Sequence, residues 1–100
     1  MSLQTIVRCA VDYSLIVSLA TEFGDLLRRH REAAKLSQER LAEISNLDRT
    51  FISLLERGQR QPSLETVFKL CTALEIQPHE FVQQVEIQIA TKLVDGGSLR

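Results

Sequence analysis

Four polar side chains between positions 49 and 57 share one side of a predicted amphipathic helix. At about 100° per residue, Arg49, Ser53 and Arg57 follow one another at i, i+4 and i+8, and Thr50 lies beside them. The opposite side carries three apolar residues, Phe51, Ile52 and Leu55. Guanidinium and hydroxyl groups hydrogen-bond to base edges in the major groove of DNA. Because a water-facing helix usually carries Lys/Glu pairs instead, this face predicts a base-reading helix.

Two short helices joined by a tight turn are predicted to position this face. The sequence SQERLAEISNLDRTFISLLERG begins at Ser37 and ends at Gly58. Ser37 and Asp48 have the side chains of N-caps, whereas Gly58 is typical of the residue that follows a helix. Asn46 lies in the turn, where it tolerates the left-handed conformation better than any residue other than glycine. The spacing therefore predicts two helices, the second of which runs from Asp48 to Arg57.

This segment resembles the helix-turn-helix of the Cro and lambda-repressor type, often called the Xre family. Residues that match family positions in register are Gln38, which opens the first helix, the small Ala42, and the buried Leu47 and Ile52. Asn46 stands where the family usually has glycine. The similarity extends from Phe23 to Phe81, and the variant LDRTFIS most resembles the controller proteins of restriction–modification systems. The resemblance implies an all-α, five-helix, lambda-repressor-like domain with N- and C-terminal extensions.

Position and resemblance together predict roles for individual side chains. The predicted base-reading residues are Arg49, Thr50, Ser53 and Leu54. The predicted contacts to the DNA backbone are Gln38, Arg57 and Arg60, of which Gln38 resembles the phosphate-binding glutamine of the family. The family resemblance also implies an ion pair between Arg31 and Glu56. This pair would hold the base-reading helix against the helix that precedes the helix-turn-helix. For Leu54, contact with a thymine methyl group and packing against a neighbouring loop both stay open, and Arg57 and Arg60 also fit ordinary surface arginines.

Composition predicts one folded domain and gives no sign of catalysis. One hundred residues with 44% hydrophobic and 25% charged content are typical of a globular domain. Cys9 and Cys71 have no metal-ligand spacing and favour a reduced, cytoplasmic protein. His30 and His79 stand alone, and no phosphate loop, nucleophile elbow or CxxC motif occurs. We therefore expect no enzyme activity, no metal and no cofactor.

Charge is divided unevenly along the chain. The formal net charge is −1, but residues 23–62 hold eight basic and six acidic residues, a balance of +2. Residues 63–100 hold three basic and five acidic residues, a balance of −2. This asymmetry fits a protein that contacts DNA phosphates through one face, with strongly salt-dependent affinity.

Apolar periodicity and capping residues place the remaining helices. Helix 1 is predicted to begin near Glu22 and to bury Phe23, Leu26, Leu27 and Ala34. Helix 4 is predicted to follow Ser63 and to bury Leu64, Val67, Phe68, Cys71 and Leu74. Helix 5 is predicted to begin at Pro78, which suits a first helical turn. These helices make up a DNA-binding domain over residues 22–81.

Three segments lie outside that domain. Residues 1–21 form an N-terminal extension whose LIVSLA run is too short to span a bilayer and poorly flanked for a signal peptide. For this extension, an added helix or strand and a disordered segment both stay open, whereas residues 95–100 are predicted to be disordered. Residues 82–94 favour a helix over a strand, and we expect them to mediate dimerisation. The expected interface is an apolar stripe without a partner inside so small a domain: Val82, Val85, Ile89 and Leu93.

The interpretation that joins these features is a transcription regulator. It binds a palindromic operator as a homodimer through the major groove, because one small domain contacts little base-specific surface. The alternative is the antitoxin of a toxin–antitoxin pair, which binds a toxin through its terminal segments, and a protein–protein adaptor is a third hypothesis. RNA polymerase is a further candidate partner, whereas a membrane and a small-molecule effector are not expected. Neighbouring genes, either a restriction–methylation pair or a toxin, would separate the first two hypotheses.

Overall fold

Five α-helices form the part of the protein that the computed structural model describes, residues 19–94 with side chains through Lys92. In chain order they are α1 (Leu19–Ala33), α2 (Gln38–Ser45), α3 (Arg49–Glu56), α4 (Leu64–Leu74) and α5 (Pro78–Val94). Residues 19–94 contain no strand, so the predicted all-α, five-helix fold is confirmed. None of these five helices combines the length and the hydropathy that a membrane-crossing helix requires. The expectations for residues 1–18 and 95–100 lie outside the described residues.

Side-chain caps set the start of three helices at the positions that the sequence predicts. The Ser37 hydroxyl accepts a hydrogen bond from the Arg40 amide at 2.9 Å, at the start of α2. The Asp48 carboxylate accepts one from the Thr50 amide at 3.0 Å, at the start of α3. At α4 the cap is Ser63, whose hydroxyl accepts from the amide three residues further on at 3.1 Å. Each cap satisfies an amide that has no partner inside its helix, and so fixes where the helix begins.

Left-handed residues follow α2 and α3 at the two predicted turns. Asn46 follows α2 at φ 60° and ψ 42°, and its amide bonds to the carbonyl oxygens of Ala42 and Glu43. Gly58 lies just beyond α3 at φ 73°. A Cβ atom on Gly58 would lie 3.0 Å from the Cα atom of Thr21, so this turn passes directly against α1. Glycine therefore suits both the backbone conformation and the close approach.

The core lies between the five helices and is mainly aliphatic. Its largest fully buried side chains are Leu27, Leu41, Ile52, Leu55, Leu70, Cys71 and Phe81. Phe23 of α1 packs on Phe81 of α5, with ring centroids 5.2 Å apart. Burial raises the pKa of the Cys71 thiol to about 11, so this cysteine is a packed apolar group rather than a reactive one.

Polar contacts also fasten α5 to α1. Glu22 of α1 is only 2% exposed, and its carboxylate accepts hydrogen bonds from Gln88 and, at 2.5 Å, from the Lys92 ammonium group. One turn nearer the start of α5, Gln84 Oε1 lies 2.6 Å from His30 Nε2. These bonds and the aromatic contact hold α5 as part of the domain over most of its length.

The helix ends and the register of α4 differ from the sequence expectations. α1 begins at Leu19 rather than near Glu22, so it includes three residues predicted to belong to the N-terminal extension. Ala34 was predicted to be buried but is exposed, because α1 ends one residue earlier. The core face of α4 includes Val67, Leu70 and Cys71. This register rotates two predicted core residues towards solvent, since Leu64 is 72% and Phe68 51% exposed.

The apolar stripe of α5 also differs from the expectation. Residues 82–94 continue α5 without a break, which confirms the helix over the strand. Val85 and Ile89 are 7% and 4% exposed and belong to the core of this same domain, so the expectation that they lack an internal partner is wrong. Their four-residue spacing places them on the face that packs against α1 and α4. Val82 is 52% exposed, and the Leu93 side chain lies outside the described residues.

Candidate nucleic-acid interface

The outward face of α3 carries the predicted base-reading residues. Arg49 and Thr50 are exposed at the start of the helix, and Ser53 and Leu54 are partly buried one turn later. The inward face holds three buried residues, Ile52, Leu55 and Glu56. The helix therefore has one accessible side, and that side carries the hydrogen-bonding side chains of Arg49, Thr50 and Ser53.

The Arg49 guanidinium is only loosely held. Its ion-pair partner among the described residues is Glu39 of α2, with Nε 4.0 Å from Oε2 and both side chains more than half exposed. Such an exposed pair is worth about 0–1 kcal/mol. The guanidinium can therefore exchange this contact for two hydrogen bonds to a guanine edge at little cost.

Two arginines flank the turn that follows α3. Arg57 is exposed at the C-cap of the helix, where its Nε donates a long hydrogen bond of 3.4 Å to the Ser53 carbonyl oxygen. Arg60 is exposed two residues beyond Gly58. The outward face of α3 therefore has a cationic group at each end, with Arg49 at the first and these two arginines at the second.

A buried ion pair anchors the C-terminal end of α3 to α1. Glu56 Oε2 accepts a hydrogen bond from Arg31 Nε at 2.6 Å, and Glu56 Oε1 accepts one from Arg31 Nη2 at 3.0 Å. The Glu56 side chain is 0% exposed and that of Arg31 is 12% exposed. Arg31 Nη1 also donates to the Leu36 carbonyl oxygen at 2.9 Å. The pair that the family resemblance implies is therefore present, in a two-bond geometry that fixes direction as well as distance.

Two further side chains reach the same carboxylate. Gln38, the first residue of α2, donates from Nε2 to Glu56 Oε1 at 2.9 Å. Arg28 of α1, whose side chain is 49% exposed, has its Nε 3.7 Å from that oxygen. Sequence reasoning assigned Gln38 to DNA alone and missed Arg28, because no local pattern relates these positions to Glu56.

The electrostatics of this cluster favour an ionised carboxylate. Burial alone would raise the pKa of Glu56, but hydrogen bonds from Arg31 and Gln38, with the charges of Arg31 and Arg28, together hold that pKa below its ordinary value. The hydrogen bond with Glu56 in turn raises the pKa of the Arg31 guanidinium. Glu56 is thus charged at neutral pH, and its charge is matched inside the protein.

A glycine brings the backbones of α1 and α3 together near the same end of α3. A Cβ atom on Gly24 would lie 2.2 Å from the Leu55 carbonyl oxygen and 2.8 Å from that of Glu56. Any side chain at this position would push α1 away from the end of α3. Sequence reasoning did not identify Gly24, because a glycine within a helical pattern indicates only a local cost in stability.

The structure therefore divides the predicted residues between two places. The outward side of α3 and the turn beyond it hold Arg49, Thr50, Ser53, Leu54, Arg57 and Arg60. The anchor at the end of α3 joins Arg31, Gln38 and Glu56. Within residues 19–92, no three His, Cys, Asp or Glu side chains are grouped in a way that could hold a metal ion.

Comparison with known proteins identifies the family to which the chain belongs. The family model described as a helix-turn-helix matches residues 27–81, more than half of the chain. Control protein C.BamHI of Bacillus amyloliquefaciens is 41% identical over 61 residues, which cover 60% of this chain and 75% of that protein. The restriction-modification controller protein C.AhdI of Aeromonas hydrophila has a similar structure, with a TM-score of 0.61 and 50% identity. That match covers 62% of this chain and 94% of C.AhdI.

A third similar protein has been solved together with DNA. The controller protein C.Esp1396I forms a tetramer in complex with its natural 35 base-pair operator. It is 30% identical to this chain with a TM-score of 0.67, and the match covers 74% of this chain and 96% of that protein. The family match contains α2, α3 and α4 in full. The chain therefore belongs to the helix-turn-helix family, as a DNA-binding transcription regulator of the Xre type.

Proposed function

We propose that the chain binds a palindromic operator as a homodimer, with α3 of each copy in the major groove. The observation that carries this proposal is the single accessible face of α3, whose far end is fixed by the buried pair of Arg31 and Glu56. Reading base edges requires a helix with a fixed direction as well as suitable side chains. The described residues combine both properties in one helix.

Each predicted contact residue has a defined place in this mechanism. Arg49 and Thr50 enter the groove first, and the guanidinium can donate two bonds to guanine O6 and N7. Ser53 and Leu54 follow one turn later. In this mechanism Ser53 contacts a base edge and Leu54 contacts a thymine methyl group. Gln38 fixes the register on the backbone: one hydrogen of its amide bonds to Glu56, and the second has no acceptor among the described residues and can bond to a phosphate oxygen. Arg57 and Arg60 contribute the remaining contacts to the DNA backbone, beyond the end of α3. Such contacts to phosphate groups do not depend on the base sequence of the DNA.

Two copies are needed because a domain of this size covers few base pairs. In a two-fold dimer the recognition helices lie about 34–36 Å apart, one turn of DNA. The similar protein C.Esp1396I occupies its 35 base-pair operator as a tetramer, and C.AhdI is a restriction-modification controller. These likenesses favour an operator that controls a restriction–modification system over the toxin-binding alternative.

The test of base reading starts with selection of preferred sites from a pool of randomised duplexes. On the selected site, Arg49→Ala is expected to lose roughly 1–3 kcal/mol of binding free energy and to relax the preference at one base pair in each half-site. Arg60→Ala is the control, and should weaken binding to all sequences alike while reducing the salt slope by about one. Equal losses of specific and non-specific binding in Arg49→Ala would contradict the assignment, and an asymmetric selected site would contradict the palindrome.

The proposed dimer surface is the exposed side of α5, where Val82 is the exposed member of the predicted stripe among those whose side chains the structure describes. Val85 and Ile89 cannot test it, because charges at these core positions would unfold the domain. Val82→Glu is expected to yield monomers in light scattering on a sizing column at micromolar concentration. Ile87→Glu is the matched control: this residue is 40% exposed and lies about 140° around α5 from Val82.

A different exposed apolar surface defines the alternative outcome of that experiment. Ile44 of α2 and Leu64 and Phe68 of α4 are all exposed, and Ile44 and Phe68 line one groove. Loss of the dimer in Phe68→Glu, but not in Val82→Glu, would move the interface from α5 to α4. A wild-type mass that stays at 11.3 kDa at every micromolar concentration measured would refute the dimer itself.

A further inference from the structure

Among the residues that the structure describes, Arg28 of α1 is a cation beside the buried anchor that has no counter-charge of its own. Its ion-pair contact among the described residues joins Nε to Glu56 Oε1 at 3.7 Å, which is longer than a hydrogen bond. Glu56 is already neutralised by Arg31, which makes two shorter bonds to it. Two guanidinium groups thus face one carboxylate. The surplus positive charge lies on Arg28, since its side chain is 49% exposed and that of Arg31 only 12%.

Arg28 also lies close to Gln38, the proposed backbone contact at the start of α2. Gln38 Nε2 is 2.9 Å and Arg28 Nε is 3.7 Å from the same oxygen of Glu56. The two nitrogens are therefore no further apart than the sum of these two distances. A phosphate group presents several acceptor oxygens and takes charge-assisted hydrogen bonds from more than one donor. Both side chains are thus within reach of a single phosphate.

We propose that Arg28 contacts the DNA backbone at the same phosphate as Gln38, with Glu56 as the residue that positions both donors. This inference rests on the proposed function, and it adds a contact from α1 to those from α2 and α3. Arg31 is less suited to this role, because its side chain is only 12% exposed and its Nε, Nη1 and Nη2 atoms each already donate a hydrogen bond inside the protein. A backbone contact from Arg28 ties the register of the DNA to the same carboxylate that fixes the recognition helix.

Arg29 provides a matched control for Arg28. It is the next residue of α1 and its side chain is 61% exposed, yet its guanidinium donates to Asp25 at 2.7 Å and to Gln88 of α5 at 3.2 Å. Its charge is therefore compensated, and its contacts connect α1 with α5 rather than with α2. The two arginines share residue type, helix and exposure, and differ in their surroundings.

The experiment measures binding of the full chain to a short random-sequence DNA duplex by fluorescence anisotropy, between about 50 and 200 mM salt. No operator is required, because phosphate contacts do not depend on base sequence. Arg28→Gln is expected to reduce the slope of log affinity against log salt by about 0.9. The ratio of the wild-type DNA affinity to that of Arg28→Gln should then fall about 3.5-fold over this fourfold range of salt. Arg29→Gln is expected to leave the slope unchanged.

The possible outcomes separate this inference from the proposed function. If the wild type binds DNA and Arg28→Gln has the same salt slope as the wild type, the contact from Arg28 is overturned and the proposed function stands. An equal loss of slope in Arg29→Gln would also overturn it, because net charge alone would then explain the effect. Arg28→Lys keeps the charge and should keep the wild-type slope, so a slope as low as that of Arg28→Gln would assign a purely structural role to Arg28. A wild type that binds no duplex would refute both proposals.

Discussion

Removal of the positive charge from the buried anchor is expected to destabilise the domain far more than removal of an exposed charge. Arg31→Met keeps the aliphatic part of the side chain but leaves the carboxylate of Glu56 charged at 0% exposure. Truncation of one partner of a buried pair costs roughly 3–5 kcal/mol, because the remaining charge is uncompensated. Gln38 and Arg28 still face that carboxylate, so we expect a loss near the lower end, about 3 kcal/mol.

The loss can be measured by urea denaturation followed by circular dichroism at pH 7. With a slope of about 1.5 kcal/mol per molar urea, a loss of 3 kcal/mol lowers the unfolding midpoint by about 2 M. Arg29→Met is the control, because the exposed pair of Arg29 and Asp25 is worth about 0–1 kcal/mol. Removal of both buried charges, in Arg31→Met combined with Glu56→Leu, should recover much of the loss. Equal midpoints for Arg31→Met and Arg29→Met would refute the reasoning.

The same variant should show a characteristic dependence on pH. In the wild type the pKa of Glu56 is held below its ordinary value of 4.5. Its stabilising contribution is therefore complete above that value and is lost as the pH falls through the folded-state pKa. In Arg31→Met the effect of burial on the pKa of Glu56 is less opposed, so protonation at low pH relieves the buried charge. The difference in unfolding free energy between the wild type and Arg31→Met should be largest at pH 7 and should decrease below about pH 4.5. A difference that does not change with pH would assign the loss to packing.

Two further predictions concern the backbone. Gly24→Ala is expected to lose roughly 1–3 kcal/mol or more in urea denaturation, because its Cβ would lie 2.2 Å from the Leu55 carbonyl oxygen. Alanine normally stabilises a helix relative to glycine by about 0.5–1 kcal/mol, so a gain would contradict the close approach of α1 and α3. Glu75→Gly is expected to gain about 1 kcal/mol and to raise the thermal midpoint, because Glu75 caps α4 at φ 59°, where a side chain is strained. A lower midpoint for this variant would show that the strain is small compared with the contacts of the Glu75 side chain.

The sequence predicts those parts of the site that depend on local chemistry. An N-cap needs only a side chain and an amide two or three residues further on, so Ser37, Asp48 and Ser63 are identifiable without tertiary structure. The left-handed turn at Asn46 is local in the same sense. The outward face of α3 follows from the periodicity of a single helix. These features are enough to predict the helix-turn-helix unit and the side of it that is accessible.

The features that the sequence did not predict depend on packing between distant positions. The bond from Gln38 to Glu56 joins residues 18 positions apart, and the approach of Gly24 to α3 spans a still longer separation. The stripe of α5 was assigned to a dimer interface for the same reason. Periodicity shows that Val85 and Ile89 lie on one face, but only the placement of α1 and α4 shows that this face is already covered.

The buried carboxylate of Glu56 has a geometric consequence for recognition at the opposite end of α3. A helix of eight residues is about 12 Å long, so a tilt of about 5° at the anchor displaces its first turn by about 1 Å. An error of that size is enough to misalign the two hydrogen bonds that we propose Arg49 makes to a base. A buried ion pair adds little net stability over an apolar replacement, but its two bonds at 2.6 and 3.0 Å restrict the direction of the helix in a way that apolar contacts do not. Replacement of both charges by apolar residues should therefore separate stability from function: the domain stays folded, while discrimination between specific and non-specific DNA falls.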